Sequence, residues 1–289
     1  MEPSTRSRPV SATPSAAPSS APSSLGSRIV TALVLAGGAA AAIGSQAAWP
    51  LAVATSFVGV VGLLELYSLC PRPASRFWTG IVVISLALLA LIILPAPLGF
   101  LLPWGIGVAG LLMVAKRPKN SLALGLAAGW VIAPLLAGIW LHQATAGQGW
   151  GMNLLWVAIA PLWVGDTAAY LVGKAIGRTP LAPRLSPKKT WEGAVANLGG
   201  CVMAAILMGA AVGVPPTSAA TIGLVLGTAG QMGDLLQSAV KRAVDVKDSG
   251  FILPGHGGVL DRLDSFFFAG PIAIVLLTQM VPHLFHVKR

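Results

Sequence analysis

Apolar stretches of about 18 residues or more, the length at which a helix rising 1.5 Å per residue crosses roughly 30 Å of hydrocarbon, recur from residue 28 almost to the end of this chain. A segment in lipid cannot hand its backbone N–H and C=O groups to water, so each run must satisfy them internally, as a helix. Only 10% of the residues are charged, against about 25% in soluble domains, so the chain lacks the polar surface that a water-soluble fold of this size would need. The expectation is an all-α, polytopic integral membrane protein with about nine transmembrane helices, at 28–46, 49–69, 77–95, 98–115, 121–142, 154–173, 194–214, 219–242 and 263–282. Short breaks carrying Pro and Gly separate them, such as CPRPAS from residue 70, KRPKN from 116 and VPPTS from 214. Residues 1–27, dominated by Ser, Pro and Ala, have no apolar core and read as a disordered tail. Residues 28–289 read as one transmembrane domain.

Charge placement orients the helices. Seventeen of the 19 lysines and arginines fall in the tail or in alternate connections, which assigns those connections and the N-terminus to the cytoplasm by the positive-inside rule. A multi-pass protein of the cell membrane is expected. The opposite connections, including QATAGQGWGMN at 143–153, carry no charge. The net charge of +10 then reflects insertion and anionic headgroups, and no nucleic-acid partner is expected. Cys70 and Cys201 lie far apart, in or beside apolar spans, without metal-ligand spacing. They read as packing residues.

Insertion requires basic residues inside but not acidic ones beside them, yet seven of the nine Asp and Glu residues lie between 166 and 264. Asp166, Asp234, Asp261, Asp264 and Glu192 are expected near the cytoplasmic ends of four helices. In GDLLQSAVKR, 233–242, Asp234, Ser238, Lys241 and Arg242 share one helix face, with Asp234 about 10 Å deeper than Lys241. An intramembrane carboxylate is costly unless paired, metal-bound or wet; an ion pair with a neighbouring lysine is the plain alternative. Asp261 and Asp264, at i and i+3, repel one another, and a bound cation would reverse the sign, although the macrodipole also favours acids at a helix N-terminus. With Asp166 and Asp234 they form an oxygen-rich set suited to Mg²⁺.

The glycines of PGHGG, 254–258, let backbone N–H groups approach an anion. Lys241, Arg242, Lys247 and Arg262 flank them, and SPKKTWEG, 186–193, adds Lys188 and Lys189. Cations around a carboxylate-held metal suit a polyphosphate. His256 either orients a phosphate or leaving group, or has no catalytic part. Glu65, near the cytoplasmic end of the second span, reads as structural: a snorkelling residue or a partner behind the site. An ion-coupled transporter would instead place polar groups at the midplane and on both sides.

The pattern S-x-V-K-R-x4-K-D-x-G-x2-L-P-x-H-G-G-V-x-D-R-L-D, running from Ser238 to Asp264, resembles the signature of the phosphatidate cytidylyltransferase (CDP-diacylglycerol synthase) family at every position. GDTAAYLVGKAIGRTPLAPRLSPKKTWEG, 165–193, is similar to that family's second block, while spans one to five resemble it only in hydropathy. The resemblance implies an active site at the cytoplasmic leaflet, a catalytic half at about 154–282, and Mg²⁺-dependent transfer of CMP from CTP to phosphatidate with release of pyrophosphate. Carried over by position, it implies Asp234, Asp261 and Asp264 as metal ligands, with Asp166 a further participant. It places Lys241, Lys247 and His256 with those three aspartates in catalysis, and Lys188, Lys189, Ser238, Arg242, Asp248, Gly257, Gly258 and Arg262 in substrate binding. Gln237 stands where the family often has an acid and receives no metal role. The implied partners are CTP, phosphatidate and the surrounding membrane lipid, and a homodimer is a compatible assembly. The nearest rivals are a CTP-dependent lipid or polyprenol kinase and a cytidylyltransferase with another acceptor.

Overall fold

Helices form where the apolar runs lie. The computed structural model describes residues 25–45, 47–69, 79–85, 94, 98–117, 120–145, 153–253 and 257–285. They build helices α1 (Leu25–Gly44), α2 (Ala48–Ser68), α3 (Leu98–Lys116), α4 (Ser121–Leu126), α5 (Ala128–Thr145), α6 (Leu155–Ile176), α7 (Trp191–Val212), α8 (Pro216–Ala243) and α9 (Leu260–Met280). A short hairpin, β1 (Pro180–Ala182) and β2 (Ser186–Thr190), joins α6 to α7, and a 3-10 turn, Pro282–Leu284, follows α9. The all-α expectation holds, with that hairpin as a small addition. The expected third span, 77–95, lies largely outside the described residues, as do CPRPAS and residues 1–24 of the expected tail.

Among the described residues, six helical segments are long and apolar enough to cross a membrane: α2, α3, the α4–α5 unit from Leu122 to Thr145, α6, α7 and α9. Helix α8 has the length, at 28 residues, but Gln231, Asp234, Gln237 and Lys241 make it too polar to qualify on composition. The fifth expected span is two helices rather than one. Asn120 caps α4 by accepting from Ala123 N (3.2 Å), and the helix breaks at Ala127 before α5 begins.

The α4–α5 span is 72% buried inside the protein and α2 only 33%, so α5 is central and α2 peripheral. On α2, Val53, Phe57, Val60 and Leu64 are exposed at helical spacing and form a lipid-facing stripe, whereas Glu65 and Leu66 turn inward. The core joins α3, α5 and α9: Trp130 meets Phe267 edge-on at 5.1 Å, and Trp104 Nε1 donates to Phe267 O (2.9 Å). At the end of the bundle that holds the α6 N-terminus, Asn153 donates to Ile43 O (3.0 Å) and accepts from Leu155 N (2.9 Å). His142 packs against the same asparagine.

Small residues set the helix spacing. A Cβ on Gly107 of α3 would run into the backbone of Trp130 and Gly129 on α5, so the two helices touch main chain to main chain, as small residues allow in membranes. Gly107→Ala is expected to destabilise the detergent-solubilised protein by about 1–3 kcal/mol, the usual range for overpacking. Gly105→Ala, where a Cβ meets nothing within 4 Å, should leave the thermal midpoint unchanged. Equal midpoints for both variants would contradict this packing.

Candidate active site

The charged end of the bundle is formed by the C-terminal ends of α2 and α8, the N-terminal ends of α7 and α9, and the hairpin. In the hairpin, Pro180 pairs with Thr190 and Ala182 with Ser186, with an irregularity between the two pairs. Trp191 N donates to Thr179 O (2.9 Å), closing the hairpin onto α7. Thr190 then caps α7 by accepting from Gly193 N (3.2 Å). Glu192, in the first turn, accepts from Thr179 N (3.2 Å) and Thr179 Oγ1 (3.1 Å), so it braces the hairpin. Successive strand side chains point to opposite sides, which leaves Lys188 exposed while Lys189 turns inward and forms an ion pair with Asp234. Two blocks of sequence, 165–193 and 238–264, thus meet beside one face of α8.

That face behaves as the spacing requires. Ser238 Oγ donates to Asp234 Oδ1 (3.5 Å), and one turn further Lys241 Nζ lies 2.7 Å from Asp261 Oδ1. Gln237 Nε2 donates to the same oxygen (3.1 Å). Asp245, at φ 57°, turns the chain out of α8, and Arg242 Nη1 donates to Val246 O (3.1 Å) in that turn. The loop returns to α9 through Leu253 N, which donates to Gly257 O (3.1 Å), with Gly257 at φ +78°. Ser249 N and Gly258 N both donate to Asp261 Oδ2, at 2.8 and 3.1 Å. Asp261 therefore receives four donors and ties the loop to α8 and α9.

The metal set expected from the sequence divides in two. Asp261 is engaged as above. Asp166, Asp234 and Asp264, from α6, α8 and α9, lie close enough to feel one another's charge. Asp166 Oδ1 accepts from Asn197 Nδ2 (3.1 Å), and Gln231 Nε2 donates to Asn197 Oδ1 (3.3 Å), which fixes the amide. Asp264 is buried and accepts from Ser265 N (2.8 Å). Among the described residues no three Asp, Glu, His or Cys side chains converge tightly enough to cage a metal by themselves. Beneath Asp166 lies a cavity of about 130 Å³ lined mainly by apolar residues of α1, α2, α5, α6 and α9, among them Ala42, Leu51, Leu135 and Phe266, with Asp166 and Arg262 as its charged lining.

Lys188, Arg242, Lys247, Asp248 and Arg262 are exposed around this centre. His256 lies outside the described residues, as does Cys70, and Cys201 is buried against Pro161 O (3.2 Å) as a packing residue. Sequence reasoning gave no site role to Asn197 or Gln231, because neutral amides inside a helix carry no distinctive spacing, and it weighed Gln237 only as a departure from an acid. It also left Glu65 behind the site without a partner, although an intramembrane carboxylate is a signal in itself.

Residues 26–280 match the cytidylyltransferase family. The chain belongs to that family. Among its cytidylyltransferase relatives, the phosphatidate cytidylyltransferase of Bacillus subtilis (strain 168) is 35% identical over 232 residues, 77% of this chain and 79% of the relative. That of Brucella suis biovar 1 (strain 1330) is 33% identical over 264 residues, covering 85% of this chain and 90% of the relative. The chloroplastic phosphatidate cytidylyltransferase 5 of Arabidopsis thaliana is 46% identical over 125 residues, 43% of this chain and 31% of the relative. The family match includes α1 to α5, so the likeness reaches further toward the N-terminus than the hydropathy alone indicates.

Proposed function

We propose that this protein transfers CMP from CTP to phosphatidate, leaving CDP-diacylglycerol in the membrane and releasing pyrophosphate. The observation that carries the reading is the unbroken signature from Ser238 to Asp264, folded so that its α8 face meets the 165–193 block where Lys189 pairs with Asp234. A phosphate oxygen of phosphatidate attacks the α-phosphorus of CTP, and the bond from that phosphorus to the bridging oxygen breaks as pyrophosphate leaves. The attacking group is already an anion, so no strong general base is needed. What the site must supply is juxtaposition of two polyanions and stabilisation of charge at the α-phosphate.

The residues divide that work. Lys189 and Lys241, with exposed Lys188, Arg242 and Lys247, are the cations for the triphosphate, and exposed Asp248, half-buried Gly257 and buried Ser238 and Gly258 belong to the same polar region. Arg262, at the cavity, suits the lipid phosphate, and the apolar lining behind it suits part of an acyl chain. Asp234 and Asp264, with Asp166 beside them, would hold Mg²⁺, whose charge would offset that of the triphosphate oxygens. The donor set fits that ion: it is all oxygen, its like charges call for a cation, and Mg²⁺ characteristically takes one or two carboxylates together with substrate phosphates. The basic connections support a site at the cytoplasmic leaflet of the cell membrane, with the N-terminus on the same side. The reading needs no nucleic-acid partner and is compatible with a homodimer.

Labelled CTP tests the chemistry. In proteoliposomes containing phosphatidate and Mg²⁺, label at the α-phosphate should enter the lipid fraction and label at the γ-phosphate should leave as pyrophosphate. Entry of γ-label into lipid would make the protein a lipid kinase and overturn the proposal.

A further inference from the structure

We infer that Glu65 is a positioning residue for the transfer reaction, acting from α2 to fix the N-terminus of α9 and the loop before it; the inference rests on the functional reading above. The first N–H groups of a helix have no intrahelical acceptor, and a side chain at the N-cap commonly supplies one. At α9 the N-cap is Val259, which has no acceptor to offer. Glu65, nearly two hundred residues earlier, supplies it: Val259 N donates to Oε1 (3.0 Å) and Leu260 N to Oε2 (2.9 Å). Ser249 Oγ also donates to Oε2 (3.3 Å). The carboxylate is buried, with Glu65 4% exposed, and its negative charge faces the positive end of the α9 dipole.

The loop is shaped around this group. A Cβ on Gly250 would collide with Glu65 Oε1, and one on Gly258 would lie 2.6 Å from Oε2. Gly250 is thus small because Glu65 occupies the space, and Gly258 because Ser249 Oγ and Glu65 share it. Asp261 holds Ser249 N and Gly258 N, so Glu65 and Asp261 act as one clamp, sharing Ser249, one through its hydroxyl and the other through its N–H, and between them taking the three successive N–H groups of residues 258 to 260. One turn of α9 separates that clamp from Asp264. A shift of α9 relative to α2 would therefore move Asp261, Arg262 and Asp264 together, without unfolding either helix.

The test is Glu65→Gln in the full-length protein, reconstituted and assayed with α-labelled CTP. The substitution keeps the shape but sets an NH₂ donor against a backbone N–H. We expect kcat to fall about tenfold or more, KM for CTP to stay within about threefold, and the thermal midpoint to move by only a few degrees. Hydrogen exchange of amides 248–260 should accelerate while that of α5 does not, and Glu65→Asp, which keeps the carboxylate, should recover part of kcat. Parental kcat with unchanged exchange in Glu65→Gln overturns the inference, as does a joint loss of kcat and folding that Glu65→Asp does not relieve. If Glu65→Gln does not fold, Glu65→Asp decides: faster loop exchange with lowered kcat supports the role, and parental values for both overturn it. If the parent itself moved no α-label into lipid, the functional reading would fail, and the exchange data would still show whether Glu65 holds the loop.

Discussion

Asp261→Asn is expected to lower CMP transfer by at least about a hundredfold, the scale for losing one organised electrostatic contact in a closed site, and to destabilise the protein as well. Its carboxylate and the Lys241 ammonium are 2.7 Å apart, with side chains only 7% and 13% exposed. Removing one charge from such a pair leaves the other buried and uncompensated, at a cost of about 3–5 kcal/mol. The asparagine amide also cannot accept from all four donors that converge on Asp261, so at least one backbone N–H of the loop loses its acceptor. Thermal unfolding in detergent, measured beside α-label incorporation, should show both losses. Adding Lys241→Met to Asp261→Asn removes the stranded cation and should restore most of the thermal midpoint, but no turnover. A single variant with parental activity would remove Asp261 from the machinery. A double variant that regained activity would mean that the pair serves only the fold.

Much of this arrangement was legible in the sequence because membranes narrow the options. Spans of about 20 apolar residues have to be helices, and the spacing of Asp234, Ser238 and Lys241 puts them on one face; the Ser238 to Asp234 bond follows that spacing. Periodicity is local, however, and the informative contacts here are not. Nothing in SPKKT says that it pairs with residues 180–182 as a strand, since three- and five-residue strands are too short to display alternation. The break at Ala127 between α4 and α5 was hidden because the apolar run is continuous across it. Asp261 and Asp264 read as an equivalent pair three residues apart, yet one caps a loop beside a lysine and the other is buried toward Asp166 and Asp234. Spacing along α9 does not show that α8 packs directly against it at Gly233, where a Cβ would press on Phe268 Cβ at 2.5 Å and on Asp264 O at 2.8 Å. Glu65 is the clearest case. Its own helix declares it unusual, but its partners lie 184 to 195 positions away, beyond the reach of any spacing rule.

That difference between Asp261 and Asp264 gives the same chemical change two opposite effects on stability. Asp264 is buried with the like charges of Asp234 and Asp166 near it, and a carboxylate taken out of water beside other carboxylates works against folding, first through its lost hydration and then through their repulsion. Asp264→Asn removes the repulsion and keeps an oxygen for Ser265 N, which now donates to Oδ1 at 2.8 Å. The thermal midpoint should therefore rise by a few degrees, whereas turnover should fall about a hundredfold or more, because the site loses a charge that only a bound cation and its triphosphate make favourable. The two measurements are those used for Asp261→Asn, and their directions separate the roles: Asp261 supports both fold and reaction, while Asp264 serves the reaction at the expense of the fold. A lowered midpoint together with lost turnover would make Asp264 a second structural anchor. Unchanged turnover would take it out of the carboxylate set altogether.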